Sequence, residues 1–219
     1  MTEPSFLTTA RAAYDTIADA YVKAFEDEWD RVPIDRAMMT AFADLVRADG
    51  GGEVLDVGSG PGETTAYLHS QGLDVRGLDL SPAMLAHARR SHPELRFDEG
   101  TMTELKVPDG SLAGISAVYC VIHIPDEELP ALFAEFRRAL RPGGHLLLIF
   151  MNLDEHILRT EAFGLTFQLN YYMRTPGRMT EYLEAAGFDV HAQATRKTQP
   201  GENLPRAMLL ARNGTLVTQ

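Results

Sequence analysis

The chain of 219 residues is 45% hydrophobic and 23% charged, the balance of one folded domain with a sizeable core. Its net charge of −11, from 31 acidic against 20 basic side chains, opposes a nucleic-acid partner, which needs a basic stripe, and favours a neutral or cationic small substrate. A single cysteine, Cys120, excludes an internal disulfide and a cysteine zinc cluster, and no apolar stretch approaches the roughly 20 residues of a membrane span. With no basic region followed by an apolar run at the N-terminus, a cytoplasmic location is expected.

Residues 8–25 carry Ala10, Tyr14, Ile17, Tyr21, Val22 and Phe25 at three- and four-residue steps, which predicts an amphipathic helix capped by Thr8 or Thr9. Pro33 opens a second helix to about Ala48, and Gly50-Gly51-Gly52 ends it. Val54, Leu55 and Val57 read as a short buried strand, broken by Gly58-Ser59-Gly60-Pro61-Gly62 before helical spacing resumes at Glu63. A strand, a glycine turn and a helix N-terminus bring backbone N–H groups and the helix dipole to a ligand. A dinucleotide fingerprint would place its third glycine where Glu63 stands, and a carboxylate there opposes a pyrophosphate.

Further along, residues 75–80 form a second expected strand, and Ser81-Pro82 starts a helix as cap and first position. A short third strand at 95–97 and a continuous apolar fourth at 115–122 follow, then a helix from Asp126 to about residue 140. Arg141-Pro142-Gly143-Gly144 breaks that helix, and residues 145–150 make strand five. The aromatic, irregular stretch 151–175 reads as a helical lid inserted over the carboxyl edge of the sheet. Another helix at 176–186 leads to two strands, 188–195 and 206–212, which should pair antiparallel. Strands alternating with helices predict a doubly wound, Rossmann-like α/β domain spanning 1–219, with residues 1–50 as N-terminal cap helices.

The run Val54-Leu55-Asp56-Val57-Gly58-Ser59-Gly60-Pro61-Gly62 resembles motif I of the class I S-adenosylmethionine-dependent methyltransferases, and Asp56 inside the strand belongs to that resemblance. The Arg141–Gly144 turn before strand five and the antiparallel ending also resemble the family's seven-stranded, mostly parallel sheet with an antiparallel last strand. The resemblance implies S-adenosylmethionine as cofactor, with Asp56, Gly58, Ser59, Gly60 and Gly62 around it. Asp79, 21 positions after Gly58, would accept from both ribose hydroxyls. Leu80 and Met84 would lie near the adenine, as would Thr101, standing where the family places an aspartate, and the Met102 backbone. Cys120 would line the cofactor through its small volume. Tyr14 and Tyr21, on a helix similar to one many small-molecule methyltransferases fold over the cofactor, either reach the reacting end or pack inward.

His123, after strand four, is the candidate general base, with a structural histidine bonded to a loop carbonyl as the alternative. Asn152, His156, Phe167 and Tyr171 follow strand five and are candidate substrate contacts. No metal site is expected, because Asp154, Glu155, His156 and His123 fit no metal-ligand spacing. The function expected is methyl transfer to an oxygen, nitrogen or carbon of a small molecule, by a monomer or homodimer that binds neither nucleic acid nor membrane. An inactive S-adenosylmethionine-binding module and a nicotinamide-dependent oxidoreductase are the alternatives.

Overall fold

The computed structural model describes residues 4–25 and 31–214. Helices α1 (Ser5–Phe25) and α2 (Pro33–Ala48) precede β1 (Glu53–Val57), α3 (Glu63–Ser70), β2 (Asp74–Asp79), α4 (Pro82–Ser91) and β3 (Arg96–Glu99). Then come β4 (Leu112–Val118), α5 (Leu129–Ala139), β5 (Leu140–Met151), β6 (Glu155–Ala162), β7 (Leu165–Met173), α6 (Pro176–Ala185), β8 (Phe188–Arg196) and β9 (Arg206–Asn213). Seven strands form one sheet in the order β3-β2-β1-β4-β5-β9-β8. The first five pair in parallel, and β9 runs antiparallel to both β5 and β8. This is the expected Rossmann-like sheet with its antiparallel last strand.

The apolar runs fill both faces of the sheet because strand side chains alternate. Leu146, Leu148 and Phe150 of β5 face one core with Phe133 and Phe136 of α5. Leu147 and Ile149 face the other, with Met39, Phe42 and Val46 of α2. The chain reverses between β1 and β4, so the carboxyl ends of these strands open a crevice there, the usual ligand position in such sheets.

Four local expectations are corrected. The insertion after strand five is not helical: β6 and β7 pair as an antiparallel hairpin outside the main sheet. Its turn is Phe163-Gly164, between the paired Ala162 and Leu165, and both turn residues have positive φ (55° and 74°). That conformation matches strand twist in a two-residue hairpin, and Gly164 supplies it without strain. Second, α1 begins at Ser5, and Thr8 and Thr9 lie inside it, donating to the carbonyls of Pro4 and Ser5. Third, β4 ends at Val118, and a 3₁₀ turn, Val121–His123, carries the residues read as its end. Fourth, β5 already pairs at Leu140, and residues 141–144 loop out before pairing resumes at His145.

α1 lies over the crevice, fastened on two sides. Asp15 Oδ1 accepts from the Ser81 hydroxyl (2.6 Å) and the Ala83 N–H (3.2 Å) at the start of α4. Ala10, Ala13 and Ile17 pack against Phe167 and Leu169 of β7. The hairpin therefore supports the N-terminal helix from outside.

Candidate active site

A cavity opens between α1 and the carboxyl ends of β1, β2 and β4. On its floor lies the glycine turn. Gly58 has φ +67°, and a Cβ there would come 2.4 Å from Cys120 Cβ, so glycine is required by conformation and by space. Gly62 does not line the cavity: a Cβ would meet the Phe97 ring at 2.8 Å, so this glycine serves close packing behind the turn.

The turn's N–H groups are engaged within the protein. Those of Gly58 and Ser59 donate to the Leu78 carbonyl (2.7 and 3.1 Å), and that of Gly60 to Asp79 Oδ2 (2.7 Å). The expectation of free backbone donors facing a ligand is thus corrected. A pyrophosphate would find neither those donors nor a cation here, and Glu63 at the start of α3 lines the same wall.

Asp79 ends β2 in the cavity wall, its Oδ1 accepting from the Ser81 N–H (2.8 Å). The Leu80 N–H adds a third backbone bond to this carboxylate. Burial, foremost, raises its pKa. Ser59 lines the cavity, and its Oγ is buried beside Gly77 of β2 without a hydrogen-bond partner. Met84, Met102 and Cys120 complete this side. Burial pushes the Cys120 thiol well up, and Sγ donates to the Val57 carbonyl (3.1 Å), an arrangement that leaves no thiolate nucleophile.

Leu80 and Thr101, neighbours in sequence of Asp79 and Met102, line a second cavity with Gly100 and Arg11. The Thr101 hydroxyl is bonded to that of Thr103 (2.8 Å).

Asp56 lies beneath the floor rather than in it. It is 1% exposed, and its oxygens accept from Thr65 Oγ1 and Ser116 Oγ, both at 2.7 Å. Burial raises its pKa from 3.8 to about 7. A raised folded-state value means stability that is complete below the unfolded pKa of 3.8 and lost as pH rises through about 7. Asp56→Asn removes this dependence. Between pH 4 and pH 8 the variant is expected to gain roughly 4 kcal/mol relative to the parent in urea unfolding. A gap independent of pH would refute the buried, neutral carboxyl.

Facing the floor, Tyr14 Oη of α1 meets His123 Nε2 at 2.8 Å, and His123 Nδ1 meets the Asn170 carbonyl at 2.8 Å. A carbonyl can only accept, so Nδ1 carries the proton and Nε2 accepts from the Tyr14 hydroxyl. His123 is 8% exposed, and burial holds it neutral, with its pKa lowered to about 4. Burial likewise holds the Tyr14 hydroxyl well above its ordinary pKa. Tyr21 stands edge-on to Tyr14 (centroids 6.0 Å), and Tyr171 of β7 edge-on to His123 (5.0 Å).

The other proposed substrate contacts stand elsewhere. Phe167 packs against α1, and Asn152 bridges to Arg174. His156 is exposed, stacked on Tyr172 and bonded to Asn170 Oδ1 (2.9 Å). Of the four, Tyr171 alone meets His123; none is among the residues lining the cavity.

Two features had escaped the sequence reading. Arg174, 1% exposed, donates to Asp126 and to the carbonyls of Tyr172 and Ile124 (2.8 and 2.5 Å), pinning the hairpin base to the turn that carries His123. Tyr119 lines the cavity with φ +57°, its hydroxyl donating to the buried Asp35 (2.5 Å) and its ring under Arg206. A non-glycine residue in left-handed conformation directly before Cys120 was the signal available, but only backbone angles reveal it.

The sheet order, the glycine turn beneath Asp79 and the helix roofing the cavity define a Rossmann-like fold of the methyltransferase type. Over 97% of its length the chain superposes on 99% of the DhpI chain in a DhpI–SAH complex, with a TM-score of 0.75 at 24% identity. Residues 54–144 match the model of a methyltransferase domain. A demethylmenaquinone methyltransferase of Chlorobaculum tepidum is 33% identical over 166 residues, 74% of this chain and 67% of that protein. One of Beutenbergia cavernae is 33% identical over 117 residues, 52% of this chain. The match spans about half the length of the latter, 47%. The chain belongs to the class I S-adenosylmethionine-dependent methyltransferases, and S-adenosylmethionine is that family's cofactor.

Proposed function

We propose that this chain transfers the methyl group of S-adenosylmethionine to a small-molecule acceptor. The observation that carries the reading is convergence: the glycine turn with Asp79 and the Tyr14–His123 pair face one cavity beneath α1. The residues fit the cofactor. Gly60 lines the cavity with no protein atom within 4 Å of where a Cβ would stand, Ser59 beside it keeps a buried Oγ without a partner, and the turn opposes a pyrophosphate. When bound, the cofactor supplies an electrophilic methyl on a sulfonium.

In this reading Asp79 accepts from the two ribose hydroxyls, Gly58 to Gly60 and Cys120 border the methionine part, and Met84 and Met102 border the adenine. The bond from Tyr14 to Nε2 turns the remaining lone pairs of the Tyr14 oxygen to the cavity, where they orient a hydroxyl or amine donor. A proton leaving the acceptor passes to the Tyr14 oxygen as Tyr14's own passes to Nε2. With His123 near 4 this is a weak base, so orientation and exclusion of water carry most of the rate enhancement.

We further propose that the chain acts as one cytoplasmic domain, monomeric or dimeric, on a free small molecule. Among the described residues no helix is long and apolar enough to cross a membrane. Calorimetric titration with S-adenosylhomocysteine and with NAD tests the function. Low-micromolar binding of the former alone is expected, followed by methyl transfer in acceptor screening. Binding of NAD alone would replace the reading with an oxidoreductase, and binding without transfer to any acceptor would reduce it to a binding module.

A further inference from the structure

An acceptor must be held by what surrounds it, and this cavity is one-sided in charge. Among its described lining residues the carboxylates are Glu63 and Asp79, and no lysine or arginine is present. His123 brings no cation, since both its nitrogens are occupied in the neutral form. Among the described residues, guanidinium groups on surrounding elements have partners outside this lining, and Arg11 of α1 donates to the Leu80 carbonyl (3.2 Å). Arg174 serves Asp126 and backbone carbonyls, and Arg206 pairs with Glu202 and the Leu204 carbonyl, its guanidinium lying over the Tyr119 ring and its Nε without a hydrogen-bond partner. Arg159 serves the Tyr171 hydroxyl and the Glu161 carbonyl. Moving a phosphate or carboxylate from water into such a lining is costly, because a buried anion needs a paired cation or several donors.

What the cavity does offer is aromatic and apolar surface: Phe6, Tyr14, Tyr21 and Phe25 from α1, facing Tyr119 and Ile124. Among the polar groups α1 brings to it, the Tyr14 oxygen is an acceptor because its proton is given to His123. A weak base at that position suits a hydroxyl that is itself acidic, and not an aliphatic alcohol.

On the footing of the function proposed above, we infer that the acceptor is an aromatic or enolic hydroxyl compound that carries no anionic group. It binds by its planar face against the aromatic wall and donates its O–H to Tyr14 Oη. In the reaction the acceptor oxygen forms the new C–O bond as the methyl–sulfur bond breaks, the electron pair stays on sulfur, and the hydroxyl proton leaves through Tyr14 to His123.

The test uses the full chain saturated with S-adenosylhomocysteine and two probes, 1-naphthol and phosphoethanolamine, titrated by calorimetry. Naphthol is expected to bind at least tenfold more tightly than phosphoethanolamine. Tyr14→Phe is expected to weaken naphthol about tenfold, the worth of one hydrogen bond, while phosphoethanolamine stays weak. Tighter binding of phosphoethanolamine, binding of neither probe, or naphthol affinity unchanged by Tyr14→Phe would each overturn the inference. Because S-adenosylhomocysteine is titrated first, its failure to bind is a separate result that removes the methyltransferase reading itself.

Discussion

Tyr14→Phe is expected to lower kcat for methyl transfer by roughly 10²- to 10³-fold, within the range measured for positioned proton-transfer groups. The substitution keeps the ring that packs on Tyr21 and removes the one donor to His123 Nε2. S-adenosylhomocysteine affinity, set on the opposite wall, should change only a few-fold. His123→Ala should lose a similar factor, and the double variant little more, because the two side chains act as one unit. The pH profile carries an independent sign. Burial lowers His123 to about 4, so the neutral form persists above that value and kcat should stay level from pH 6 to pH 9. Acid below about pH 5 protonates Nε2, ejects the Tyr14 hydroxyl bond and lowers the rate. A rate limb near pH 6.5 would place the imidazole in water instead. Loss of thermal stability with an unchanged kcat would make the pair structural.

Asp79→Ala is expected to weaken S-adenosylhomocysteine by roughly two to three orders of magnitude. Hydrogen bonds to a charged acceptor contribute about 1.5–3 kcal/mol each, and two ribose hydroxyls would lose theirs. The substitution also frees the Gly60 and Ser81 N–H groups from Oδ2 and Oδ1, loosening the turn that shapes the floor. Asp79→Asn separates the two effects: its amide oxygen retains one accepting site while the charge is gone, so an intermediate loss is expected. Calorimetry reads both variants. Undiminished affinity in Asp79→Ala would remove the carboxylate from cofactor recognition and leave it a support for the turn.

Legibility followed the range of the interactions involved. Ser81 was read as a cap and does accept from the Met84 N–H (3.1 Å), because capping is decided within three residues. The same locality misplaced Thr8 and Thr9, since the helix started earlier, at Ser5. The hairpin at 155–173 was missed because a short apolar-aromatic run without Pro reads equally as helix or strand until a partner is known. Asp56, Gly62 and Asp79 looked alike as motif residues, yet only Asp79 reaches the cavity. Asp56 turns to Thr65 and Ser116, and Gly62 to Phe97, partners brought from other elements.

By itself, then, the sequence determined the alternation of strands and helices, the glycine turn with its acidic partner 21 residues on, and the negative surface. Each depends on contacts between near neighbours or on composition. The tertiary structure alone decided what Tyr14 and His123 do. They stand 109 residues apart, and their bond exists because α1 is held between Ser81 of α4 and the hairpin that the sequence did not reveal. The tautomer of His123 rests on one backbone carbonyl, that of Asn170, and a carbonyl has no signature in a sequence. Burial then sets its proton affinity, and burial belongs to the packed molecule and to no residue within it.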